Sequence, residues 1–188
     1  TLENVRAATG GGRIENAGTV LIPSAAGFGP RTIGVPLINT GLLRIDPVGG
    51  GLTDRLTFAS LDNAGRLSIA AQSRLLQLEV LGDFVQRDSG TFHIEISIIP
   101  SGAGLPRSGG TTVDGRATLA GTLEVHYVLI PPNASPDRPR VGDAFQVLTF
   151  ASHTGDFATF VDLEPGDGIG FDRVFDPTSL RLLAQATP

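Results

Sequence analysis

The sequence contains no cysteine, no methionine, no tryptophan and no lysine. Without cysteine there is no disulfide, no thiolate metal site and no cysteine nucleophile. That does not exclude secretion, because repeat folds hold together by stacking and need no covalent staples. Without lysine there is no Schiff-base chemistry, no pyridoxal site and no phosphate-binding loop that ends in lysine. All 14 basic residues are arginine, which we read as compositional bias rather than mechanism. They are scattered through a chain of net charge −5 and never form a run. A nucleic-acid surface needs a basic stripe, and an anionic membrane surface needs a basic amphipathic face. Neither is visible, so no nucleic-acid partner and no membrane insertion are expected. No apolar run approaches the roughly 20 residues of a membrane helix. The chain starts at Thr1 with no methionine and no signal-peptide pattern. It reads as a processed or excised piece of a longer protein.

The chain is long enough, at 188 residues, for one domain with a core, and its apolar fraction of 40% argues against wholesale disorder. Its 25 glycines and 13 prolines suit a turn-rich all-β chain. One motif organises it, Asn-x-Gly followed by alternating apolar residues. It reads Asn16-Ala17-Gly18-Thr19-Val20-Leu21-Ile22, then Asn39-Thr40-Gly41-Leu42-Leu43-Arg44-Ile45, then Asn63-Ala64-Gly65-Arg66-Leu67-Ser68-Ile69. Weaker copies centre on Gly90 and Gly121, so the five glycines are 23, 24, 25 and 31 residues apart. Periods in this range mark repeat architectures. In every copy the apolar residues fall two and four positions after the glycine. Period two predicts a strand with one buried face. The constant offset predicts that Val20/Ile22, Leu43/Ile45, Leu67/Ile69, Phe92/Ile94 and Leu123/Val125 lie above one another in a shared core. Asn and Gly both tolerate a left-handed backbone, so the pair can turn the chain. Stacked Asn16, Asn39 and Asn63 can also hydrogen-bond as a ladder, with Asp88 closing the row. Unrelated hairpin turns are the alternative.

Further strands are expected at 32–37, 55–58, 75–81, 116–119 and 144–150. Leu76, Leu78 and Val80 alternate with Gln77 and Glu79, so this stretch reads as strand and not helix. Two segments break the period, the loops at 100–112 and 130–139. Repeats with inserted loops then occupy 1–140. Residues 141–188 read as terminal strands and an aromatic cap, in which Gly155-Asp156-Phe157 copies the Gly82-Asp83-Phe84 turn.

The run Val113-Asp114-Gly115-Arg116-Ala117-Thr118-Leu119-Ala120-Gly121-Thr122-Leu123-Glu124-Val125 is followed by 141–150 and by Gly155-Asp156-Phe157-Ala158. This order resembles the C-terminal part of autotransporter-like passenger domains and related bacterial surface proteins with β-strand repeats. The resemblance covers about Arg13 to Leu183. It implies an all-β, right-handed parallel β-helix, a solenoid with a C-terminal capping region. It also implies extracellular or cell-surface location and a role as stalk, scaffold or adhesin. It brings no catalytic motif. The proline-rich stretch at 130–139 departs from the family pattern.

Chemistry has few candidates. His93 and Glu95 lie three and five residues after Gly90, and Glu124 and His126 lie three and five after Gly121. If those repeats are neighbours, His93 faces Glu124 and Glu95 faces His126, all pointing outward. Two histidines and two carboxylates on adjacent strands suit a metal site or an acid/base pair. A cross-strand charge ladder needs less, and on that reading no metal and no cofactor are assigned. Asp162, Glu164 and Asp167 form an acidic turn with the oxygen donors a calcium ion takes, without the spacing of a known calcium loop. Ser152-His153 offers no triad, because neighbours on a strand face opposite ways. The expected function is a non-catalytic structural or adhesive segment of a secreted or surface-displayed bacterial protein. Its partners would be polysaccharide, matrix components or copies of itself. A carbohydrate-binding module is the alternative, and a fragment of a polysaccharide-degrading enzyme comes third. One tyrosine and no tryptophan leave little for sugar stacking.

Overall fold

The computed structural model describes residues 7–8, 11–23, 31–46, 54–70, 76–98, 106–108, 110–128, 138–161 and 168–187. Its strands are β1 (Ala7–Ala8), β2 (Ile14–Asn16), β3 (Thr19–Pro23), β4 (Arg31–Asn39), β5 (Leu42–Asp46) and β6 (Asp54–Asn63). They continue as β7 (Arg66–Ile69), β8 (Leu76–Val80), β9 (Phe84–Gln86), β10 (Thr91–Ile98), β11 (Pro106–Ser108) and β12 (Thr111–Leu119). The last are β13 (Thr122–Tyr127), β14 (Ala144–Gly155), β15 (Thr159–Val161), β16 (Ile169–Asp176) and β17 (Ser179–Ala186). The described residues are all-β, with no helix among them.

Two mainly parallel sheets result. The first runs β1-β4-β6-β8-β12-β14-β17-β16, with β2 paired to β4 and β9 to both β6 and β12. The second runs β15-β13-β10-β7-β5-β3, with β11 on β10. From β2 to β7 the chain alternates between the sheets strand by strand, and each strand lies parallel to the one a repeat earlier. On the second sheet the register places Val20, Leu43, Leu67, Phe92, Leu123 and Phe160 in one row. Ile22, Ile45, Ile69, Ile94 and Val125 form the next. All but the terminal Val20 and Phe160 are buried, so the offset of two and four does define the core face. The first sheet supplies matching rows. Ile33, Phe58, Val80, Val113 and Phe150 form one. Leu37, Leu61, Phe84 and Ala117 form another. A one-residue slip would turn every one of these side chains outward, so the register is strongly specified.

The asparagines line the passage from the first sheet to the second. Asn16 Nδ2 donates to Asn39 Oδ1 at 2.7 Å, Asn39 Nδ2 to Asn63 Oδ1 at 2.7 Å, and Asn63 Nδ2 to Gln86 Oε1 at 2.8 Å. The row ends on Gln86, not on Asp88. Here two extra residues precede the glycine, so Asp88 is carried out into an exposed turn closed by Gly90 N–H and Arg87 O. The motif glycines also serve differently from expectation. Of the five, only Gly121 has a left-handed backbone (φ 69°). Gly41, Gly65 and Gly90 are needed where successive turns of the backbone run close together, whereas a Cβ on Gly18 would meet nothing within 4 Å. A Cβ on Gly65 would overlap the Gly41 carbonyl oxygen and sit 2.6 Å from the Thr40 carbonyl carbon.

Three further expectations change. The segment 100–112 is not all loop: β11 pairs antiparallel with β10, and Thr111 and Thr112 already belong to β12. Of 130–139, only 138 and 139 lie among the described residues. The two Gly-Asp-Phe turns are not equivalent. Gly82 follows β8 and leads into β9 of the same sheet, while Gly155 ends β14 as the chain crosses to β15. Phe84 consequently joins a row of the first sheet. Phe157 stacks on Phe92 at 6.3 Å between ring centroids instead.

At the C-terminal end parallel pairing stops. β17 pairs antiparallel with β14, and β16 antiparallel with β17. Phe171 from this hairpin packs edge-on to Phe145 at 5.4 Å. The Arg173 guanidinium lies 3.5 Å over the ring of Phe160, on the last strand of the second sheet, and pairs with Asp156 at 2.8 Å. The hairpin thus reaches from the edge of one sheet to the edge of the other.

Candidate functional site

The outward face of the second sheet carries the charged cluster. β10 and β13 are parallel neighbours, and their register opposes His93 to Glu124 and Glu95 to His126. Two strands with the same offset from their glycines force this, because residues in register lie about 4.8 Å apart. One nitrogen of His93, one of His126 and one Glu95 carboxylate oxygen lie within 4.8 Å of one another.

Glu124 is committed elsewhere. Arg66, on β7, reaches past the intervening β10 and grips it with both terminal nitrogens, Nη1 to Oε2 at 2.6 Å and Nη2 to Oε1 at 2.8 Å. His93 Nδ1 also lies 3.1 Å from Glu124 Oε1. An ionised carboxylate can only accept, so Nδ1 carries the hydrogen and donates it. Neutral His93 then keeps its lone pair on Nε2. The Arg66 hydrogen bonds hold the Glu124 carboxyl below its ordinary range, and Glu124 in turn raises the Arg66 value. His93 is on the outward face yet only 7% exposed. That burial, helped by the positive charge of Arg66, pushes the His93 value down against the opposing pull of Glu124 and Glu95. The imidazole is therefore favoured as a neutral group. His126 is exposed, with its ring 6.3 Å from that of His93.

Sequence reasoning brought His93, Glu95, Glu124 and His126 together and missed Arg66. The arginine lies 58 residues from Glu124 and two strands away. Its signal was present in the alignment of the repeats, where Arg66 directly follows a motif glycine. Asp162, Glu164 and Asp167 lie outside the described residues.

The Arg66–Glu124 pair is bidentate but its arginine is 40% exposed. Screening by water keeps such pairs small. Arg66→Met should therefore cost only about 0.5 kcal/mol at low salt, and less at high salt. Urea unfolding of both proteins at two ionic strengths checks this. A loss that does not change with salt would show that packing, not charge, is what Arg66 contributes.

No family model matches the chain, and no curated protein is significantly similar to it.

Proposed function

We propose that the chain is a right-handed parallel β-helix and that it serves as a non-catalytic structural or adhesive segment of a secreted or surface-displayed bacterial protein. The observation that carries this reading is the stacking itself. Repeats of 23 to 25 residues place like residues above one another on both sheets. Their inward positions are filled by apolar rows and the amide ladder. Each repeat leaves an apolar face that only the next can cover, the logic of a solenoid. Parallel strands joined by crossovers in one sheet are right-handed in about 98% of cases. The antiparallel β16–β17 hairpin supports the capping role, since an uncapped parallel edge would recruit other chains. The resemblance to autotransporter-like passengers supplies surface display.

Tyr127 packs against the core, so the single tyrosine is not a free platform for sugar. No specific observation favours the carbohydrate-binding or polysaccharide-degrading readings. An antibody against residues 141–188 should label intact cells of the source bacterium. Labelling only after permeabilisation would remove surface display. The purified chain should pass through immobilised polysaccharides without retention. Saturable retention on any one of them would replace the structural reading with the binding-module reading.

A further inference from the structure

We propose that His93, Glu95 and His126 form a binding site for one divalent cation of the zinc class, with Glu124 and Arg66 as its supporting groups. The ligands are right in kind. Two imidazoles and one carboxylate suit zinc and its transition-metal neighbours, whereas calcium and magnesium prefer all-oxygen sets. The number is also right. Three protein ligands leave a fourth tetrahedral position for water or for a donor from another molecule.

The supporting groups separate this cluster from a chance meeting of surface charges. Metal-bound histidine nearly always donates its second ring N–H to a carboxylate, which fixes ring and tautomer. His93 already does so, through Nδ1 to Glu124 Oε1 at 3.1 Å. Arg66 locks that carboxylate with two hydrogen bonds of 2.6 and 2.8 Å. His93 is buried, and the bond from Nδ1 to Glu124 holds its ring, which leaves Nε2 as the nitrogen able to coordinate. The charge suits a cation as well. Arg66 balances the charge of Glu124, and Glu95 adds a carboxylate beside the two imidazoles.

The geometry needs a small closure. Ligand atoms around tetrahedral zinc, with bonds of about 2.0–2.1 Å, lie roughly 3.3 Å apart. Here they lie within 4.8 Å. Glu95 is half-buried and His126 exposed, so side-chain rotation on a fixed backbone supplies the difference. Both strands run in unbroken register through the site, from Thr91↔Thr122 to Ile96↔Tyr127. The inference stands on these side chains and does not depend on where the protein is displayed.

The test is calorimetric titration of the 188-residue chain with Zn²⁺ at neutral pH, with Ca²⁺ as comparator. One equivalent of Zn²⁺ should bind, Ca²⁺ should not compete, and the melting temperature should rise with Zn²⁺. His126→Ala, at an exposed position, should keep the fold of the metal-free protein. It should weaken Zn²⁺ binding at least about tenfold, and Glu124→Gln should weaken it by about 10–100-fold without removing a ligand. Absence of Zn²⁺ binding overturns the proposal. So does binding that His126→Ala leaves unchanged, or binding for which Ca²⁺ competes equally.

Discussion

Gly65→Ala should destabilise the chain by about 3–5 kcal/mol, while Gly18→Ala, the same change at the same place in the motif, should leave stability within about 0.5 kcal/mol. Neither glycine has a left-handed backbone, so conformational strain does not separate them. What separates them is the neighbouring chain. A methyl on Gly65 would overlap the carbonyl oxygen of Gly41 and stand 2.7 Å from the Gly41 nitrogen. These are backbone atoms, which no rotamer change can move aside. To make room, the corner must lift away from the one before it. That lengthens the bonds from Gly65 N–H to Asn39 O at 2.9 Å and from Arg66 N–H to Gly41 O at 2.8 Å. Overpacking costs about 1–3 kcal/mol, and each weakened bond adds about 1 kcal/mol. At Gly18 a Cβ meets nothing within 4 Å. There alanine only restricts the unfolded chain, which is neutral or slightly stabilising. Denaturant unfolding of the two variants measures the difference. Equal losses would mean that glycine serves backbone conformation at both sites and that close approach is irrelevant.

The contrast shows where sequence reasoning works in this chain. The rows on the second sheet were legible because two rules with fixed numbers act together. Alternation gives the face, and the constant distance from the glycine gives the register. The same arithmetic put His93 opposite Glu124 and Glu95 opposite His126. It failed where a repeat changes length. The two residues added before Gly90 push Asp88 off the row and leave Gln86, four residues before the glycine, in the place of the asparagine. Gln86 has the same amide on a longer stem, so the hydrogen bond survives although the motif does not. Sequence arithmetic also treats neighbouring strands only. Arg66 and Glu124 are two strands apart, about 9.6 Å at the usual strand spacing, and only an arginine or lysine stem spans that distance. Their pairing follows from side-chain length, not from register. Gly155-Asp156-Phe157 misled for a third reason. A turn fixes local direction, while the sheet that a following phenylalanine joins depends on which strands lie beside it.

The amide row has a direction, and it predicts an asymmetry. Asn39→Asp should cost about 3–5 kcal/mol at neutral pH. Gln86→Glu, which also turns a fully buried amide into a carboxyl group, should cost at least about 2 kcal/mol less. The backbone fixes which end of each amide is which. Asn16 Oδ1 accepts from Gly18 N–H at 3.1 Å. The nitrogens of Asn16, Asn39 and Asn63 donate to the carbonyls of Leu42, Arg66 and Thr91 at 3.0, 3.2 and 3.2 Å. A carbonyl can only accept and an amide N–H can only donate, so every side chain points its nitrogen toward the next repeat. Asn39 Nδ2 faces three oxygens, Asn63 Oδ1, Arg66 O and Gly41 O. An aspartate there keeps the bond that Oδ1 accepts from Asn16 but sets its second oxygen, in a buried charged group, against acceptors alone. Gln86 ends the row, and its Nε2 has no partner among the described residues. Its Oε1 already accepts from Asn63, so glutamate keeps the one bond that exists and removes a donor that makes none. Continuing the β9–β12 register one residue past Val85 and Thr118 sets Leu119 against Gln86, which is why the row stops there. The Asn39→Asp deficit should also depend on pH with a definite sign. Burial raises the folded carboxyl above its unfolded value of about 3.9. The deficit is then smallest below that value and grows as pH rises through the interval up to the folded value. Below it the protonated carboxyl can donate to Asn63 Oδ1, restoring one of the three bonds. Denaturant midpoints for both variants across this pH range measure the effect. Equal penalties for the two changes, or an Asn39→Asp deficit that does not vary with pH, would show that the row has no direction.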